Sequence, residues 1–319
     1  METWKRTVYI SLVCVFCTAF GVSQLAPILP LYFHDLGVQT PEAMSLWSGL
    51  ATGATYIIVC LAAPFWGRVA DKKGRKITLI RSSFGMALCN VLIAFQTTPE
   101  GVVLIRLIQG LVSGFYSASI TLIASETPIE RTGWALGLLA SANLAGSLIG
   151  PLLGGYIADT VGIRNDFIIV GALMGLAGVL ATIFIHENYV PQPNPEKLSI
   201  RKLKEQIPEF NSIVALCVAS FIYAICIMSL QPVISVYIKG IVPSNTENLA
   251  FIAGAVFSAM GIAQLMSSSP LGKLVDKIGP RKVLVVSLIY VGVLNIPQAY
   301  VSDVYQLAII RFLQGFGLG

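Results

Sequence analysis

Charge is what this chain has least of. Lys and Arg number 21 and Asp and Glu 16 in 319 residues, 12% in all, about half of the roughly 25% usual in soluble domains. So few charges cannot cover a soluble surface, which excludes an ordinary globular domain. A hydrophobic content of 55% excludes disorder, because disordered chains lack the apolar surface to fold. Neither HExxH nor GxSxG occurs, and no ionisable cluster lies in the apolar runs, so an intramembrane enzyme is not expected. No metal site and no cofactor are expected either. Cysteine is confined to apolar stretches (Cys14, Cys17, Cys60, Cys89, Cys217, Cys226), where it cannot form an extracellular disulfide. Cys14 and Cys17 form a CxxC with no second ligand pair, which reads as two small packing residues one turn apart.

What is present is a series of long uncharged runs. Thr7–Phe33, Ala43–Gly67, Ser82–Pro99, Thr132–Ala158, Phe167–Ile185, Asn211–Ile238, Asn248–Gly272 and Val283–Ser302 hold no Asp, Glu, Lys or Arg. Gly101–Ser125 and Val304–Gly319 hold one charge each, Arg106 and Arg311. A helix needs roughly 20 apolar residues to cross a bilayer. The runs therefore predict nine spans and the start of a tenth, all helical because they are continuous and do not alternate. The first run outlasts a signal-peptide core and ends in no small-residue cleavage site, so it is a retained span. All basic residues except Arg106, Arg164, Lys239 and Arg311 fall in segments on one side. The positive-inside rule then puts the N-terminus in the cytoplasm. The excess of basic residues marks orientation and does not imply nucleic-acid binding. No acidic residue falls inside any predicted span.

The chain also repeats itself. At an offset of 205, Pro27, Tyr32, Gly49, Gly67, Asp71, Arg106, Gln109, Gly110 and Gly114 recur as Pro232, Tyr237, Gly254, Gly272, Asp276, Arg311, Gln314, Gly315 and Gly319. Two related halves follow: 1–185 with six helices, a cytoplasmic linker at 186–210 rich in proline and charge, and 211–319 with about four helices. An even number of spans per half makes the repeats parallel. The second half stops inside its fourth span, as a fragment or a truncated product would.

Gly67-Arg-Val-Ala-Asp71-Lys-Lys-Gly74-Arg75-Lys76 joins the second and third spans. It resembles the signature loop of the major facilitator superfamily, and Gly272, Asp276, Gly279 and Arg281 form a degraded copy. Arg106, Gln109, Gly110 and Gly114 resemble the fourth-helix motif. Gly137, Gly146, Gly150, Pro151, Gly154 and Gly155 match the antiporter motif of helix five. Gly21, Pro27 and Pro30 are similar to the first-helix motif of twelve-helix drug:proton antiporters. Trp47-Ser48-Gly49, Pro64-Phe-Trp-Gly67, Thr132–Gly137 and Gly150-Pro151 together look most like bacterial multidrug efflux proteins of the fluoroquinolone-exporter type.

The resemblance implies an all-α major facilitator fold in a bacterial cell membrane, acting as a monomer on protons and small lipophilic compounds. It implies a conformational latch at the loops, whose partner for Asp71 is expected on an eleventh helix, and a role in proton coupling for Arg106. The alternatives are a carrier of a metabolite such as a sugar or amino compound, or a non-transporting truncated product. Polar and aromatic residues in the spans are the candidates for a central cavity: Gln24, Tyr32, Tyr56, Tyr116, Asn143, Tyr223, Gln231 and Gln264. Aromatic rings suit flat or cationic compounds through stacking and cation–π contact. With no carboxylate in a span, Asp35 and His34 at the end of the first are the nearest groups able to carry a proton.

Overall fold

A computed structural model describes residues 3–187, 210–243, 246 and 248–318. Among the described residues the regular elements are α1 Thr3–Ser23, α2 Leu25–Asp35, α3 Pro41–Lys73, α4 Arg75–Ala94, α5 Pro99–Val112, α6 Phe115–Glu126, α7 Ile129–Val161 and α8 Ile163–Phe184. They continue with α9 Phe210–Ile241, α10 Leu249–Ile278, α11 Pro280–Gln298 and α12 Val304–Phe316. Nine segments among the described residues are long and apolar enough to cross a membrane, α5 and α6 counting as one. The linker lies almost wholly outside the described residues, as do Gly319 and the side chains of Tyr223 and Asp276.

Local chemistry explains where helices start and stop. Thr40-Pro41-Glu42 and Thr98-Pro99-Glu100 open α3 and α5 in the same way. The threonine oxygen accepts from the N–H three residues on (Ala43 and Gly101, both 3.3 Å). Proline takes a position whose N–H has no helical partner, and glutamate faces the positive end of the helix. Single glycines with φ between +90° and +93°, Gly74, Gly162 and Gly279, turn one helix straight into the next. Any other residue would be strained at that φ.

Two predicted spans are broken. The first divides at Gln24, where the bonds Gln24 N–H to Phe20 O and Ile28 N–H to Gln24 O are both stretched to 3.4 Å. Pro27 lies just beyond, lacks an N–H and crowds the carbonyl of Ser23. The fourth divides at Ser113, which is extended, and Gly114, which is left-handed at φ +113°. Arg81 fills the gap: its guanidinium donates to Leu111 O (3.1 Å) and Ser113 O (2.9 Å), stacked over Trp66 at 3.5 Å.

Among the described residues the first half has three apolar cores, the smallest being Phe20, Met86, Ala87, Val170 and Met174. Of the larger two, one holds Val8, Cys14, Leu79, Leu122, Leu139 and Ile185, and the other Leu25, Ile28, Tyr32, Ile93 and Phe167. The start of α1 meets the end of α8 where Arg6 Nη2 and His186 Nδ1 stand 2.8 Å apart. This is the basic end of the bundle. At the opposite end Tyr32 Oη donates to Ile93 O (2.8 Å) and Gln96 O (3.1 Å). Outward, large apolar side chains such as Leu61 and Phe221 stay exposed, as expected where lipid is the solvent.

The sequence repeat is a repeat of contacts. Tyr32 donates to Gln96 O, and Tyr237 to Val301 O. Asn90 donates to Met86 O (2.9 Å), and Asn295 to Val291 O (3.0 Å). Gly110 lies against the carbonyl of Thr55, and Gly315 against that of Met260. Each pair differs by the same offset of 205. The halves meet where α7 packs on α10 and α2 on α9.

Candidate functional site

Arg106 lies on α5 and is 6% exposed. Its Nη1 donates to Gln109 Oε1 at 2.7 Å, one turn on, while Nε has no partner. Thr55 on α3 donates to the Arg106 carbonyl (3.0 Å). A Cβ on Gly110 would lie 2.5 Å from Thr55 O, so this glycine lets α3 and α5 approach and encloses the guanidinium. A cation at membrane depth is costly unless held by polar groups. Its counterpart Arg311 is buried too, with Phe257 beneath it and Met260 Sδ 3.5 Å from Nη1.

The glycines of α7 face two neighbours. A Cβ on Gly146 would lie 2.5 Å from Phe16 O, one on Gly150 2.5 Å from Phe20 O, and one on Gly154 2.7 Å from Gln24 Cβ. These three, four residues apart, let α7 lie flush on α1. Gly155 and Pro151 face α10 in the other half. A Cβ on Gly155 would lie 2.6 Å from Ala250 C, and one on Gly254 2.6 Å from Pro151 C. Gly137 faces open space. The seam is completed by Ser258 Oγ donating to Leu148 O (2.7 Å) and by Asp159. The Asp159 carboxylate accepts from the backbone N–H groups of Ala250 (3.1 Å) and Phe251 (2.7 Å). A carboxylate of the first half thus caps the first turn of α10 in the second, where the helix dipole favours a negative charge.

The helices run past the uncharged runs, so carboxylates do lie within the candidate spans, all near their ends: Glu42, Asp71, Glu100, Glu126, Glu130, Asp159 and Asp166. Asp159 sits in the last turn of α7. Asp166 sits in the first turn of α8 and is wholly buried, accepting from Gln24 Nε2 at 3.0 Å. Bordering the uncharged run at Phe167, Asp166 reads from the sequence as a loop residue. The loop is in fact the single residue Gly162, so α8 begins at Ile163 and draws the carboxylate into the bundle. The sequence marks its partner Gln24 only as a cavity candidate, whereas the break in the first span sets it, buried, against Asp166.

The other candidates are scattered. Gln24 and Tyr32 are buried within the first half. Tyr56 and Tyr116 are exposed, and Asn143 and Gln231 partly buried. Gln264 donates to Leu318 O (3.1 Å). His34 and Asp35 form a pair at 3.8 Å in the last turn of α2, both substantially exposed, and no hydrogen bond or ion pair joins them to Arg106.

At the basic end Gly67, Asp71 and Arg75 line a cavity of about 260 Å³ with Arg81, Gly110 and Gly114. At the tip of this loop Gly74 takes φ +93°. Glu187, which the sequence did not single out, caps α4: its carboxylate accepts from Arg75 N–H (2.7 Å) and Lys76 N–H (2.8 Å). In the second loop Gly272 faces open space and Gly279 takes φ +90° before Arg281.

Two parallel-related helical halves, joined along glycine-lined helices and each holding a buried arginine, define a membrane transporter built by duplication. The model of the Major Facilitator Superfamily matches residues 11–242 and 216–319, and the chain belongs to that family. It is 38% identical over 312 residues to multidrug resistance protein MdtG of Salmonella schwarzengrund (strain CVM19633), covering 98% of this chain and 77% of that protein. It is 37% identical over 314 residues to multidrug resistance protein MdtG of Proteus mirabilis (strain HI4320), covering 98% and 78%. The fold is that of a bacterial homologue of the human lysosomal transporter Spinster, crystallised inward-facing and unoccupied. The TM-score is 0.71 at 12% identity, over 100% of this chain and 74% of that one.

Proposed function

We propose that the protein is a proton-driven exporter of small lipophilic or cationic compounds that works by alternating access. One observation carries the reading: α7 is fitted by glycine both to α1 in its own half and to α10 in the other. That seam lies at the opposite end from the basic loops, so the halves are packed shut at that end. With the N-terminus in the cytoplasm, the basic end faces inward. The similarity to MdtG proteins supports a multidrug substrate range.

In this cycle residues 1–185 and 211–319 rock as two bodies joined by the 186–210 linker. Separation along α7 and α10 opens the site outward, while the loop at Asp71 closes the basic end. Arg106 takes part in proton coupling, with His34 and Asp35 as exposed groups at the proton's side of entry. Tyr56, Tyr116, Asn143, Tyr223, Gln231 and Gln264 are the proposed contacts for substrate.

Ethidium, a flat lipophilic cation, tests the reading. Inverted membrane vesicles containing the protein, expressed from its full reading frame, are expected to accumulate ethidium when acidified inside. Nigericin, which collapses the pH difference, is expected to stop accumulation. Accumulation that ignores nigericin would reject proton drive, and uptake of sugars without any drug transport would favour a metabolite carrier.

A further inference from the structure

Asp166 is a buried carboxylate to which neither the latch nor the arginine motif gives a role. Among the described residues no ion pair reaches it, and Gln24 Nε2 to Oδ2 is its one hydrogen bond. Two buried acceptors here have no partner: Asp166 Oδ1 and Gln24 Oε1. An ionised carboxylate and an amide can share a single hydrogen bond with one donor, which leaves these two oxygens bare. A carboxylic acid and a primary amide form a ring of two hydrogen bonds. One proton added on Oδ1 supplies the donor that such a ring requires. A buried charge without a counter-charge is unfavourable, as are unpaired buried acceptors, so both penalties end with that proton.

The surroundings tie the pair to the seam. Gln24 stands at the break between α1 and α2, and its side chain lies against Gly154 of α7. The next residue, Gly155, abuts Ala250 across the halves. Parting of the halves along α7 and α10 therefore uncovers the face of α7 next to the amide that holds Asp166. The other titratable groups on the packed elements are committed elsewhere. Cys14 on α1 donates to Ala177 O, and Tyr32 on α2 to Ile93 O. Cys89 on α4 is buried in the apolar core. Asp159 on α7 caps α10, and Arg164 on α8 donates to Gln96 O. Asp35 and His34, at the end of α2, face one another.

We infer that Asp166, paired with Gln24 at the break of the first span, is the group that binds and releases the transported proton. This rests on the proton-driven reading above. When the seam opens, a hydronium ion gives its proton to Oδ1 and leaves as water. The O–H bond breaks again, returning the proton to water, when substrate occupies the opened path between the halves.

The test uses the full-length protein in detergent, in weakly buffered solution with a pH indicator. Adding ethidium to the wild type is expected to release protons. Asp166→Asn keeps the shape and forms an amide–amide ring, so it is expected to accumulate in the membrane and bind ethidium. It is expected to release no protons above protein-free micelles and to let ethidium equilibrate without concentrating it. Proton release from Asp166→Asn equal to wild type would overturn the inference and leave proton-driven export standing. No release from the wild type, together with nigericin-insensitive transport, would overturn both. If Asp166→Asn fails to accumulate, Asp166→Glu is used: ethidium is expected to bleach a carboxylic-acid carbonyl band in infrared difference spectra. That band is expected to differ in position between wild type and Asp166→Glu, and an unchanged band would reject the assignment.

Discussion

Gly254→Leu is expected to stop transport while the protein remains in the membrane. The glycine faces backbone, not a side chain that can swing away: a Cβ there would lie 2.6 Å from Pro151 C and 3.2 Å from Leu152 Cα. Neither atom can yield unless α7 and α10 part. Overpacking of this kind costs about 1–3 kcal/mol and more where backbone must move. A penalty of about 3 kcal/mol on the closed seam alone shifts its population by roughly a hundredfold relative to the open one. A carrier that cannot close one end cannot complete a cycle, so ethidium efflux is expected to fall about a hundredfold. Gly137→Ala provides the contrast within the same helix and motif. It faces open space, and alanine favours a helix by about 1 kcal/mol over glycine. It is expected to leave efflux within about twofold. Equal loss in both variants would mean that α7 responds to helix propensity and not to the seam.

Arg106→Ala carries the second large effect. The guanidinium is buried, and Gln109 Oε1 is its side-chain partner. A hydrogen bond to a charged group contributes about 1.5–3 kcal/mol, while a cation at membrane depth costs about 2.5–3.5 kcal/mol on insertion scales. These terms nearly cancel, so removing the side chain is expected to change membrane abundance little. Function is different: a positioned group that helps a proton to move contributes on the order of 10²–10⁴ in rate. Proton-driven ethidium efflux is expected to fall by at least about a hundredfold, with abundance on an immunoblot close to wild type. Efflux retained by Arg106→Ala would remove the arginine from the coupling step.

How much of this could be read from the sequence varies with what enforces each feature. The spans were legible because lipid keeps nearly all charge out of them, and Thr-Pro-Glu openings and single glycines mark several of their ends. The duplication was legible because each half must solve the same packing problem, as the paired Tyr32–Gln96 and Tyr237–Val301 bonds show. The breaks at Gln24 and at Ser113–Gly114 were not. Proline and glycine also occur inside α7, whose Pro151 leaves the helix continuous, so the outcome depends on neighbours such as Arg81. The depth of Asp166 was hidden for a geometric reason. Its place in the bundle follows from a turn one residue long, and a run of uncharged residues cannot show where the helix before that run begins. Glu187 was hidden because the helix it caps is far away in the chain.

The central claim is that the α7–α10 seam at the end opposite the basic loops opens and closes during transport. Spin labels at Val161→Cys and Asn248→Cys, both exposed beside the seam, read it directly by pulsed electron resonance in a background whose native cysteines are replaced. Two distances are expected: a short one matching the closed seam, and a longer one whose share changes with ethidium and with pH. A single distance that ignores both would contradict the account.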